Sequence, residues 1–196
     1  MFALYITHPQ VRIDPLVPVP QWGLSDIGAS RAHKAAALPW AASLRRIISS
    51  DEVKAIETAR IIAAAGGCDS EVVHDTHEND RSSTGFLEPD AFEKAADCFF
   101  AGPEKSFRGW ERAVVAQTRI VSAVENVLAS HDPAVPLAFI GHGGVGTLLK
   151  CHLEGRPIAR SGDQPGGGGN LFCFSLADRR LACDWTPMET WKGWTS

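Results

Sequence analysis

The sequence predicts one α/β domain, a three-layer α/β/α sandwich built on a mainly parallel central sheet. Short apolar, β-prone runs alternate with longer helical patterns, which is typical of a parallel sheet covered on both faces. The 196 residues are 44% hydrophobic and 21% charged, enough apolar material for one sizeable core. We therefore expect a single soluble domain over residues 1–196, with a polar insertion at about 77–109 that lies outside the core.

The individual elements follow in chain order from apolar periodicity and from turn residues. Strands are predicted at Phe2–Thr7 and in "LRRIISS", "SEVVHDT" and "VPLAFIGHGG", with "LFCFSL" and "RLACDW" as a closing pair. Helices are predicted in "LSDIGASRAHKAAALPW", where Ser25 is the N-cap, and in "DEVKAIETARIIAAAGG". A short helix at about 89–100, a long helix at about 110–130 and one in "VGTLLKCHLEG" complete the set. The glycine-rich run "QPGGGGN" indicates a flexible connection.

The charge and cysteine patterns exclude several classes of partner. A formal net charge of −4 gives no basic field for nucleic acid, and no window holds the roughly 18 apolar residues that a membrane span needs. The five cysteines show no CxxC spacing, which favours reduced thiols over disulfides or a metal site. We predict a cytoplasmic protein without a cofactor. The end of the chain, "DWTPMETWKGWTS", indicates a tail packed on the body or a homodimer contact.

Two histidines follow predicted strands. His8 comes after the first strand and His142 after the fourth, and the carboxyl ends of parallel strands meet at one edge of a sheet, where ligands gather. A neutral imidazole is a nucleophile toward phosphorus, and a second histidine can hold the oxygens of the transferred group. Each histidine alone is more often a hydrogen-bonded structural residue. The pair favours phosphoryl transfer to or from a small phosphorylated molecule.

The order of the motifs resembles the histidine phosphatase superfamily, also called phosphoglycerate mutase-like. The matching segments are "THPQ", "LSDIGASRA", "SSDEVKAIETA", an acidic residue in the polar insertion, and "FIGHGGVGTLL". The resemblance covers most of the chain. It implies that His8 is the nucleophile that becomes phosphorylated and that His142 binds the phosphoryl oxygens, helped by backbone N–H groups around Gly143.

The resemblance also implies a proton donor beyond the third strand. Glu78 is the best match, because the family often places a glutamate there, and Asp80 is a close competitor. A donor to the leaving oxygen must lie within hydrogen-bond reach of it. Either residue could instead be a solvated loop carboxylate, and the more distant Glu111 is better explained as a charge at a helix N-terminus.

Several residues depart from the family pattern at the expected phosphate site. Thr7 stands where the family has arginine, Pro9 follows the nucleophile in place of glycine, Lys54 replaces a second arginine, and Asp14 replaces an asparagine. Arginine binds phosphate with a planar fork, whereas threonine offers one hydroxyl and lysine a point charge. We expect Lys54 and Thr7 to bind phosphate, with the missing cation supplied by Arg12 or by Arg81.

Three functions follow, in decreasing order of support. The first is a phosphatase that hydrolyses a small phosphomonoester through a phosphohistidine at His8. The second is a degenerate family member that binds an anionic ligand or a protein partner without turnover, which the departures favour. The third is a phosphoglycerate mutase, which the absence of a basic cluster in the insertion disfavours.

Overall fold

The computed structural model describes residues 1–193 and contains a six-stranded sheet. The strands are β1 (Phe2–Thr7), β2 (Arg46–Ser49), β3 (Ser70–Val72), β4 (Leu137–Gly141), β5 (Asn170–Ser175) and β6 (Leu181–Pro187). Their order is β3-β2-β4-β1-β5-β6, with β1 to β4 parallel and the closing pair β5 and β6 antiparallel. The predicted α/β class and mainly parallel sheet are confirmed.

Helices cover both faces of the sheet. They are α1 (Asp26–Ala36), α2 (Pro39–Ser43), α3 (Val53–Gly66), α4 (Pro89–Ala101), α5 (Ala113–Ala129) and α6 (Gly143–Leu153). Because successive side chains of a strand point to opposite faces, Leu4 and Ile6 pack with α1 to α3, whereas Ala3 and Tyr5 pack with α4 to α6. The short helix α2 was not predicted: Pro39, expected to end the first helix, instead begins a new one.

The segment at about 77–109 contributes to the core, which corrects the expectation that it lies outside. Its helix α4 buries Ala95, Phe99 and Phe100 against the core cluster that also holds Trp110. These positions share one face of a helix, so α4 is amphipathic although the segment as a whole is polar.

The register of the central strands brings three chain segments to one edge. Thr7 pairs with Gly141 and Ser49 pairs with Ile140, so His8, His142 and Ser50 each follow directly after the paired ends. Backbone hydrogen bonds continue past the strands: the His8 N–H donates to the Gly141 carbonyl at 3.0 Å. The positions of both histidines are therefore set by sheet pairing.

The C-terminal tail packs on the body as far as it is described. Met188 and Trp191 are buried, and the ring of Trp191 lies 5.7 Å from that of Trp40. Residues 194–196 lie outside the described residues. Within residues 1–193, no helix is both long and apolar enough to cross a membrane.

Candidate active site

The two strand-end histidines lie against each other. Their ring centroids are 5.2 Å apart with the rings inclined at 67°, and His142 is fully buried whereas His8 is partly exposed. The Nδ1 of His8 lies 2.8 Å from the Pro9 carbonyl oxygen. A carbonyl can only accept, so Nδ1 carries the proton and the lone pair of a neutral His8 is on Nε2.

Both imidazoles are neutral at physiological pH. Burial, which disfavours the charged form, lowers the pKa of His8 to about 4, and the charge of Lys54 acts in the same direction. Burial also lowers the pKa of His142 to about 4, although the carboxylate of Glu52 opposes this shift. Neutral His8 is the form that can attack phosphorus.

The loop that carries His8 is held from two sides. On one side, the Ser25 N–H donates to the Gln10 carbonyl at 3.0 Å, and a Cβ at Gly28 would meet that carbonyl oxygen at 2.1 Å. On the other side, the Gly169 N–H donates to the His8 carbonyl at 2.9 Å. The first turn of α1 and the glycine-rich run therefore fix the backbone beside the nucleophile.

Arg31 holds the glycine-rich run in place. The sequence indicates a flexible connection here, but in the structure the run is an ordered segment that contacts α1. Its guanidinium donates to the carbonyls of Gly168 at 2.9 Å and Gly169 at 3.3 Å, and it pairs with Glu189 at 2.6 Å. Sequence reasoning missed this residue, because the partners lie more than 130 positions away along the chain and Arg31 resembles an ordinary charge on helix α1.

His142 has polar neighbours at only one of its two ring nitrogens. The Nε2 of His142 lies 2.8 Å from the Ser50 hydroxyl and 3.5 Å from a carboxylate oxygen of Glu52. Its Nδ1 has no hydrogen-bond partner among residues 1–193. Within the described residues, the protein therefore satisfies one nitrogen of this buried ring and leaves the other without a partner.

Glu52 and Lys54 form a buried ion pair at the start of α3. The Lys54 ammonium contacts the Glu52 carboxylate and also donates to the Val19 carbonyl at 2.9 Å. Burial alone would raise the pKa of Glu52, but His142 and Lys54 offset it and hold that pKa well below its usual range. Burial lowers the pKa of Lys54. The charge of this lysine, expected to bind phosphate, is thus compensated inside the protein.

The two candidate proton donors, Glu78 and Asp80, lie in different surroundings. The Glu78 carboxylate accepts from the N–H groups of Gly144, Val145 and Asn79 at 2.9 to 3.0 Å, which fixes it at the N-terminus of α6. Asp80 instead accepts from the Ser82 N–H at 2.9 Å, is exposed, and is not among the residues that line the cavity with His8. Of these carboxylates Glu78 shares a cavity with His8.

Glu111 has a structural role, because its carboxylate is held by an ion pair and a backbone hydrogen bond. It pairs with Arg119 at 2.7 Å and accepts from the Asp80 backbone N–H at 3.2 Å. Arg119 in turn donates to backbone carbonyls of Asp75 and His77. This pair holds the segment after β3 against α5, so the position of Glu78 depends on it.

An open cavity of about 560 Å³ lies above His8. Its polar lining includes Glu78, Asn79, Arg81 and Gly143, and its apolar wall is contributed by four aromatic residues, Phe92, Phe99, Phe100 and Trp110. Sequence reasoning missed this wall, because α4 was assigned to an insertion outside the core.

Two of the residues expected to bind phosphate lie elsewhere. The Thr7 hydroxyl is buried, donating to the Gln164 side-chain oxygen at 2.7 Å and accepting from the Asn170 N–H at 3.0 Å. Arg12 is exposed and is not among the residues that line the cavity. The structure therefore brings together His8, Glu78 and Gly143, with His142 against His8, but not Thr7 or Arg12.

These features define an α/β protein with paired strand-end histidines beside an acidic residue, and a family match specifies the class further. The model of the histidine phosphatase superfamily (branch 1) matches residues 17–183, and the chain belongs to this superfamily. The matched range excludes the first strand and His8.

Solved structures share the fold. A mycobacterial glucosyl-3-phosphoglycerate phosphatase in complex with inorganic phosphate superposes with a TM-score of 0.78 at 20% identity, covering 97% of this chain and 99% of that chain. YhfR of Bacillus stearothermophilus gives a TM-score of 0.76 at 17% identity, covering 95% and 98%. At these identities the similarity shows the fold alone. A search of curated proteins finds no match.

Proposed function

We propose that this protein is a phosphatase that hydrolyses a small phosphomonoester through a phosphohistidine intermediate at His8. One observation carries the proposal: a neutral His8, with Nδ1 bonded to the Pro9 carbonyl, has its lone pair on Nε2 beside a cavity of about 560 Å³. The mycobacterial structural relative, named a phosphatase and solved with inorganic phosphate, supports the same chemistry.

In the first step, Nε2 of His8 attacks phosphorus and forms a P–N bond while the P–O ester bond breaks. The leaving oxygen takes a proton from the Glu78 carboxyl group. His142 binds the phosphoryl oxygens through its unpartnered Nδ1, and Glu52 stabilises the positive charge that a proton on this ring would bring.

In the second step, water attacks the phosphohistidine. Glu78, now a carboxylate, accepts a proton from the water as the P–O bond forms and the P–N bond breaks. Inorganic phosphate leaves, and His8 returns to its neutral form. The backbone contacts to Gly144 and Val145 hold Glu78 in place through both steps.

The proposal is tested by turnover and by trapping the intermediate. Purified protein is expected to hydrolyse p-nitrophenyl phosphate between about pH 5 and pH 7, and rapid acid-free quenching followed by mass spectrometry is expected to find an added phosphoryl group on His8. Absence of hydrolysis across a panel of alkyl, aryl and sugar phosphates would overturn the proposal.

One observation favours a second function, ligand binding without turnover. The buried Glu52 carboxylate lies beside His142 and compensates Lys54, so the family's second cation is not free for a phosphate dianion. This alternative predicts that phosphate or vanadate binds near His8 while no phosphomonoester is hydrolysed.

A further inference from the structure

We propose that Arg81, with the side-chain amide of Asn79, binds the phosphoryl oxygens at this site. The inference rests on the proposed function, because it names the anion-binding group of the same site. Both residues belong to the segment "ENDR" that also supplies Glu78, so one short stretch would provide the cation, an amide donor and the proton donor.

The first step of the argument is that other cations at the site are already compensated. Lys54 pairs with Glu52, and Arg160, which lines the cavity, pairs with Glu93 and Asp97. A substrate dianion would compete with these carboxylates for the same charges. Neither side chain is therefore a free cation for phosphate.

Arg81 differs from them in having its charge uncompensated. It lines the cavity that contains His8, and within the described residues its guanidinium forms no ion pair and no hydrogen bond. Instead it lies over aromatic faces, with its central carbon 4.9 Å from the ring centroid of Phe92 and 6.0 Å from that of Trp110. Such stacking holds the plane of the guanidinium and leaves its N–H edges open.

The charge of Arg81 also reaches the nucleophile. Burial is the largest cause of the lowered pKa of His8, and the positive charges of Lys54 and Arg81 act in the same direction. A cation that disfavours protonation of His8 attracts a phosphoryl group at that position by the same field.

Asn79 provides an independent sign of a ligand-binding position. It is only 6% exposed and lines the same cavity, yet its Nδ2 has no hydrogen-bond partner among residues 1–193. Buried amide N–H groups without an acceptor are rare, because each one costs free energy. An oxygen of a bound phosphoryl group would satisfy it.

Variants of Arg81 test the inference by direct binding. We would measure the dissociation constants of inorganic phosphate and orthovanadate by isothermal titration calorimetry, which needs no turnover. Arg81→Met keeps an aliphatic stem on Phe92 but removes the charge, and is expected to weaken binding about 100-fold, the range for charge-assisted hydrogen bonds. Arg81→Lys is expected to recover part of the loss, since it restores the charge without the planar fork.

Arg108 offers a matched control. It is exposed, stacks on Phe107 with its central carbon 5.4 Å from the ring centroid, and does not line the cavity. Arg108→Met is therefore expected to bind both anions as the unmodified protein does. Thermal unfolding of each variant checks that the fold persists.

The outcomes separate this inference from the proposed function. If the unmodified protein hydrolyses phosphomonoesters and Arg81→Met binds vanadate equally well, the inference is wrong and the function stands. If the unmodified protein binds vanadate through Arg81 without hydrolysis, the function is wrong and the inference stands. If the unmodified protein binds neither anion, or Arg108→Met loses as much affinity as Arg81→Met, the assignment of Arg81 is overturned.

Discussion

The two sides of the cavity differ in how the chain builds them. On the histidine side, His8 and His142 follow paired strand ends, so sheet register brings them together. On the cation side, Arg81 in the segment after β3 lines the cavity, and Lys54 at the start of α3 is held in a buried ion pair, so each is placed by side-chain contacts.

The two ways of placing residues constrain the sequence to different degrees. A change of register would move every residue of a strand to the wrong face, so the strand-end histidines are tied to the fold itself. A cation needs only to reach the cavity, and another segment can supply it. The fold therefore constrains the nucleophile more tightly than the anion-binding charges.

The largest effect is expected on the histidine side. His8→Asn removes the nucleophile and is expected to lower kcat/KM for p-nitrophenyl phosphate by at least about 10³-fold. The control is His33→Asn, an exposed histidine on α1 that lies away from the cavity. Comparable activity in His8→Asn and His33→Asn would show that the histidine side is not the site of chemistry.

A large stability effect is expected on the cation side. Glu52→Gln leaves the buried Lys54 without its carboxylate and is expected to lower the free energy of unfolding by about 3 kcal/mol. The double variant Glu52→Gln with Lys54→Met removes both charges and is expected to be more stable than Glu52→Gln alone. Urea unfolding measures both. Additive losses would mean that the two side chains do not form a coupled pair.

A smaller effect is expected where the glycine-rich run meets His8. At Gly168 φ is +62°, and a Cβ there would meet the His8 carbonyl oxygen at 2.4 Å, so Gly168→Ala is expected to cost about 2 kcal/mol of stability. Gly166 has open space around the position of a Cβ, and Gly166→Ala is expected to change stability by less than about 0.5 kcal/mol. Equal stability of the two variants in urea unfolding would contradict the close approach.

A dependence of stability on pH is also expected on the histidine side. Because the pKa values of His8 and His142 fall to about 4 in the folded state, the unfolded state binds more protons above that pH. Stability is therefore complete above about pH 6.5 and declines as pH falls toward about 4, by up to about 1.4 kcal/mol per pH unit for each histidine. Urea unfolding at pH 4.5 to 7.5 checks this, and His142→Asn is expected to reduce the slope. An unchanged slope in that variant would contradict the burial of a neutral His142.

Much of the fold could be predicted from the sequence, because its signals are local. Alternating apolar runs gave the strands, and the N-cap Ser25 marked the start of α1, where its hydroxyl accepts from the Gly28 N–H. The core role of α4 was missed because its few apolar residues are diluted by polar neighbours. The contact is visible only when Phe99 and Phe100 are placed on one helical face.

The candidate site also has a part that the sequence predicts and a part that it does not. Strand ends predict where His8 and His142 lie, but the Glu52–Lys54 pair and the anchoring of the glycine-rich run by Arg31 depend on side chains that the sequence does not bring together. Thr7 illustrates the limit. Its position in the motif indicates a phosphate ligand, whereas its hydroxyl bonds Gln164 and Asn170, more than 150 residues away along the chain.

A crystal structure with orthovanadate tests the central claim most directly. The account predicts vanadium bonded to Nε2 of His8, with vanadate oxygens within hydrogen-bond distance of the His142 ring, the Arg81 guanidinium and the Asn79 amide. Vanadate bound away from His8, or bound there with its oxygens beyond hydrogen-bond distance of the Arg81 guanidinium, would contradict it.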